Sequence, residues 1–105
     1  MTGARMRVAL SARGVEVDDG AGGVLAPWGD VDRVTAFALG TVRYVSFDLV
    51  NGHSVEVDDG APEWDEMVAA LPAHVDGGVD DLPAALAALA HDDPVLVVGA
   101  PVLPR

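Results

Sequence analysis

No cysteine occurs among these 105 residues, so a disulfide framework, a thiolate metal site and a cysteine nucleophile are all excluded. Lysine is absent as well: the six basic residues are Arg5, Arg7, Arg13, Arg33, Arg43 and Arg105. Set against 17 acidic residues they leave a formal net charge of −11. That balance argues against nucleic acid, whose affinity comes mainly from neutralising phosphates, and against anionic lipid surfaces. Long apolar runs are missing too. Pro83 to Ala90 and Val95 to Val98 fall well short of the roughly 20 residues that span a bilayer, and the first residues hold no apolar signal core. The expectation is a cytoplasmic protein without a membrane partner.

What is present suits one domain over residues 1–105, with 1–5 and 100–105 as loosely ordered tails. Half of the residues are hydrophobic, enough for one core at this length. A dense negative surface keeps such a valine- and alanine-rich chain in solution.

Met6, Val8 and Leu10 alternate with Arg7 and Ala9, the mark of a half-buried strand. Ser11 to Gly14 is a turn, and Val15 and Val17 flank Glu16 in a second strand. Asp18 to Gly23 reads as a loop, Val24 to Ala26 as a short strand that Pro27 limits. Trp28, Val31 and Val34 recur every third residue, which predicts one helical turn over 28–33, a strand over 34–39, and Trp28 plugging one end of the core.

The next hairpin must bury one face of both its strands. Val45, Phe47 and Leu49 form one apolar set, Val55 and Val57 the other. A two-residue Asn51-Gly52 turn would place those sets on opposite faces, because a register slip of one residue turns every side chain over. The sequence therefore predicts a three-residue Val50-Asn51-Gly52 loop with Gly52 left-handed, pairing Phe47 with Val55 and Val45 with Val57.

Pro62, then Glu63, Asp65 and Glu66, suit a helix start. Trp64, Met67, Val68 and Leu71 come at i, i+3, i+4 and i+7, predicting a helix over 62–71 lying across the open side of the sheet. A second helix is expected over 81–91 with Asp81 as its cap and Leu82, Ala85, Leu86 and Leu89 on one face. Val95 to Val98 reads as a last strand.

Gly14-Val15, Trp28/Val31/Val34, Gly52, Trp64/Met67/Val68/Leu71 and Pro72 together resemble a group of small bacterial proteins with a pleckstrin-homology-like fold, over about residues 6 to 75. The resemblance implies an α+β fold: a strongly bent antiparallel sheet, a roll or barrel of about six to seven strands, capped by the 62–71 helix, with the 81–91 helix added. A lysine-rich lipid-binding loop has no counterpart here, so phosphoinositide binding is not implied.

Candidate sites are few. Val15-Glu16-Val17-Asp18-Asp19-Gly20-Ala21 recurs as Val55-Glu56-Val57-Asp58-Asp59-Gly60-Ala61, but neither copy has the alternating acidic spacing of a calcium loop. Both read as strand-to-turn exits. Gly20-Ala21-Gly22-Gly23 is glycine-rich, yet no helix comes after it to complete a phosphate cradle. His53, His74 and His91 are too widely spaced for a local metal motif, and no serine elbow or paired carboxylate motif occurs. The sequence thus implies no catalytic residue, metal or cofactor. Trp28 and Trp64 sit at spacings that favour core roles over partner anchoring.

Three function classes are compatible with these residues, in decreasing order. The first is a protein-protein interaction module using a sheet edge or the groove beside the helix. The second is an inhibitor or immunity-type protein whose acidic face, Asp58, Asp59, Glu63, Asp65 and Glu66, covers a basic toxin or nuclease. The third is an enzyme, requiring two or more of His53, His74, His91 and Asp48 to converge in one pocket. The partner is another protein, a basic one in the second class, and a homodimer through a sheet edge is compatible with all three.

Overall fold

A computed structural model describes residues 7–18, 22–77 and 79–102. The expected tail 1–5, Met6 and the centre of the 18–23 loop lie outside the described residues. Among the described residues eight strands and two helices run in the order β1 (Arg7–Leu10), β2 (Gly14–Asp18), β3 (Gly23–Pro27), β4 (Val31–Leu39), β5 (Val42–Leu49), β6 (Ser54–Asp58), α1 (Trp64–His74), β7 (Val75–Asp76), α2 (Leu82–Ala88) and β8 (Leu96–Pro101). The fold is α+β with two antiparallel sheets, β1-β2-β3 and β6-β5-β4-β8-β7.

The sheets do not close into the expected barrel. Pro27 ends β3 without an N–H to extend its ladder, and a 3-10 turn over Trp28–Asp30 redirects the chain. The free side of β4 is then taken by β8, so the second sheet grows outward instead of joining the first.

The β5–β6 hairpin forms as its faces require. Phe47 lies opposite Val55 and Val45 opposite Val57. Leu49 N–H donates to the His53 carbonyl at 2.8 Å, closing a loop of Val50, Asn51 and Gly52, and Gly52 has φ +92°.

Helix α1 differs from the expectation at both ends. Pro62 and Glu63 belong to the preceding turn, because the first helical bond runs from Met67 N–H to the Glu63 carbonyl. The helix then continues through Pro72 to His74. Proline there removes one donor in the last turns, while tertiary contacts hold the residues beyond it: His74 stacks on Trp28 at 5.1 Å and Val75 is buried in β7. Helix α2 ends at Ala88, earlier than expected. The Arg43 guanidinium takes its final carbonyls, Nε to Leu86 at 2.7 Å and Nη2 to Ala87 at 2.9 Å, and Leu89 turns inward. Ala100 and Pro101, expected in a tail, pair with Asp76 and Val75.

Asp81 caps α2 as expected, its carboxylate accepting from Ala84 N–H at 3.2 Å. Asp81→Ala is expected to lower stability by about 1 kcal/mol, read as a shift of the urea midpoint at constant slope.

The core joins both sheets and both helices: Val8 and Val15, then Val34, Ala36, Val45, Phe47 and Val57, against Met67, Val68, Leu71, Leu82 and Leu86. Trp28 seals it, donating from Nε1 to the Ser11 carbonyl at 2.8 Å and lying 6.5 Å from the Phe47 ring.

Candidate functional site

The five carboxylates expected to form an acidic face divide by role. Both Glu63 oxygens are engaged: Oε1 accepts from Val8 N–H at 3.1 Å, and Oε2 pairs with Arg7 at 3.2 Å. Glu63 therefore pins the outer edge of β1 to the start of α1. Asp59 accepts from Arg43 N–H at 3.3 Å, and Asp58 from Gly60 N–H at 2.8 Å in a turn. Asp65 and Glu66 are exposed on α1. Glu63 lines an open depression of about 440 Å³ beside β1 and β2, whereas Asp59 and Asp65 line another of about 310 Å³ beside α2.

The histidines do not converge. His53 lies in the β5–β6 loop, His74 packs on Trp28, and His91 Nδ1 accepts from Gly40 N–H at 2.8 Å at the β4–β5 turn. The whole length of β5 separates His53 from His91, roughly 25 Å at strand spacing. Asp48 lies opposite Ser54, one residue along from His53. Its carboxylate accepts from Ser46 Oγ at 2.8 Å, Arg33 Nε at 3.3 Å and Thr35 Oγ1 at 3.5 Å. Among the described residues no group of three or more metal-ligating side chains could hold an ion. The second copy of the repeated stretch runs through β6 into a turn, and the first runs through β2 toward residues outside the described set. Trp28 is buried as expected, while Trp64 is only half-buried and walls the depression beside α2.

A surface that sequence reasoning did not single out lies on the five-stranded sheet. Val34, Ala36 and Ala38 of β4 face the core with Val45 and Phe47 of β5. The alternate residues face outward, in cross-strand rows given by the register. Arg33 opposes Asp48, Thr35 opposes Ser46 and Val97, Phe37 opposes Tyr44, and Leu39 opposes Val42. Val95 falls on the same side as Val97 by alternation.

An antiparallel sheet with one solvated face ordinarily makes that face polar. Here half of it is not. Phe37 and Tyr44 stack at 5.0 Å, Val42 is half-buried, and Leu39, Val95 and Val97 are 53%, 57% and 54% exposed. These six form one apolar quadrant over β5, β4 and β8, with Val95 just before the start of β8. The polar half is a closed network around Asp48, in which Thr35 and Ser46 are buried among larger neighbours. No described element lies over this face. The signal was present in Val34 to Leu39, which is apolar at nearly every position and not only at alternate ones.

Comparison with family profiles, with curated proteins and with solved structures gave no match.

Proposed function

We propose that this chain is a protein-binding module whose contact surface is the outer face of the five-stranded sheet. The observation that carries the reading is the quadrant of Phe37, Leu39, Val42, Tyr44, Val95 and Val97, whose side chains project away from the core. Contiguous exposed apolar area of this kind marks interaction sites, whereas scattered exposed residues do not. The aromatic pair offers a rigid anchor of the type that dominates binding energy.

The inhibitor reading has weaker support, because Glu63 and Asp59 serve contacts within the chain, and Glu63 borders one depression while Asp59 and Asp65 border another. A pleckstrin-homology-like relationship is part of the proposal. It is supported by a three-strand meander, a second three-strand meander and a helix in that order, with β7, α2 and β8 as additions.

The test compares affinity capture from the native host by the wild-type chain, by Val97→Asp, and by an Asp65→Lys/Glu66→Lys double variant. Val97 is more than half exposed, so its replacement should cost no more than about 1 kcal/mol of stability. The expected result is a partner retained by the wild type and the α1 variant and lost with Val97→Asp. Loss with the α1 variant alone would move the interface to the acidic helix.

A further inference from the structure

We infer that the segment docking on this sheet face is basic, with an apolar centre flanked by lysine or arginine; the inference rests on the reading of the outer face as the interface. The apolar quadrant is bordered by carboxylates on two sides. On the β6 side Glu56 lies opposite Ser46 and Asp58 opposite Tyr44, both exposed. At the other end, the bond from Gly40 N–H to His91 Nδ1 brings the turn carrying Asp92 and Asp93 beside the β4–β5 turn, next to Leu39 and Val42. Both of those aspartates are exposed.

Among the described residues no free positive charge answers them on this face. Arg33 sits at the far end, paired with Asp48 at 3.3 Å, and Arg43 points to the core side with its guanidinium on the α2 carbonyls. A partner must therefore satisfy an apolar centre inside an acidic border, on a chain of net charge −11. A second copy of this chain fits poorly, because face-to-face stacking sets one acidic border against another within about one screening length. A basic amphipathic segment meets both requirements: its apolar ridge covers Phe37, Tyr44 and Val97 while its cations reach Glu56, Asp58 and Asp92.

The experiment titrates isotope-labelled protein with two short amphipathic peptides sharing one leucine face, flanked by lysines in one and by glutamates in the other. Amide shifts are recorded at low and high salt, and the protein alone is examined by sedimentation. The expected result is a set of shifts centred on Phe37, Tyr44 and Val97, with the lysine peptide binding at least about tenfold tighter and losing that advantage at high salt. Glu56→Lys/Asp92→Lys should reverse the preference without altering the fold. Shifts on the outer face with equal affinity for both peptides would overturn the basic partner while leaving the face as an interface. A dimer broken by Val97→Asp would assign the face to a second copy. Shifts absent from this face, or centred on Asp65 and Glu66, would overturn both readings.

Discussion

Phe47→Ala is expected to remove about 3–5 kcal/mol of folding stability, a large part of the roughly 5–15 kcal/mol available to a chain of this size. Phe47 is fully buried at the centre of β5, between Val34 on one neighbouring strand and Val55 on the other, with the Trp28 ring 6.5 Å away. Losing the ring removes its transfer energy and leaves a cavity, and the cost depends on whether the surroundings can collapse into it. Here they cannot move far. Val34, Val45, Val55 and Val57 are β-branched and stiff at χ1, and they sit on strands held by ladders on both sides of β5. With two phenylalanines, two tryptophans and one tyrosine in the whole chain, few large side chains exist to refill the space. Urea unfolding followed by tryptophan fluorescence measures the loss directly. Phe37→Ala is the matched control: Phe37 is half-buried on the outer face against Tyr44, and its removal should cost only about 1 kcal/mol. Equal losses for the two would mean that the core does not centre on β5.

The contrast between these two phenylalanines also marks where the sequence was legible. Phe47 lies in a strand whose two faces differ sharply, Val45, Phe47 and Leu49 against Tyr44, Ser46 and Asp48, and that contrast, matched to Val55 and Val57 on the next strand, led to the loop length, the register and the left-handed Gly52. Phe37 lies in a strand apolar on both faces, where periodicity carries no information about which side meets water. The strand itself was readable from the residues. Its outward surface was not, and that surface is the candidate site.

Tertiary contacts account for the remaining differences. Val75 and Asp76 are too few to show any alternation, and they become β7 only because Ala100 and Pro101 arrive alongside. Gly99-Ala100-Pro101 looks like a strand breaker, yet Gly99 adopts φ +150° and lets β8 continue past it. Local signals ended α1 at Leu71, before Pro72, and the stacking of His74 on Trp28 accompanies three further helical residues. For β7 and for the end of α1 the deciding partner is far away in the chain, which is the information a local pattern lacks.

Gly14→Ala should be among the most damaging changes that add only a methyl group, with an expected loss of about 3 kcal/mol or more from backbone strain and close contact together. Gly14 has φ +153°, a conformation that side-chain-bearing residues rarely adopt. A Cβ there would lie 2.1 Å from the Ala26 carbonyl oxygen and 2.7 Å from the Pro27 Cα, both backbone atoms of β3. Relief therefore requires β2 and β3 to separate. That movement acts at a sensitive point, since Trp28 comes directly after Pro27 and is seated by two bonds to the same turn: its backbone N–H to Arg13 and its Nε1 to the Ser11 carbonyl. Pulling β3 away draws Trp28 from the Phe47 and His74 rings and opens one end of the core. Gly29→Ala tests the mechanism one residue beyond Trp28, where an added Cβ meets nothing within 4 Å. That change should be neutral within about 0.5 kcal/mol, so a large loss at Gly14 with none at Gly29 would locate the effect in the β2–β3 approach. A mild loss at Gly14, with tryptophan fluorescence unchanged, would show that the two strands can part without disturbing the seat of Trp28.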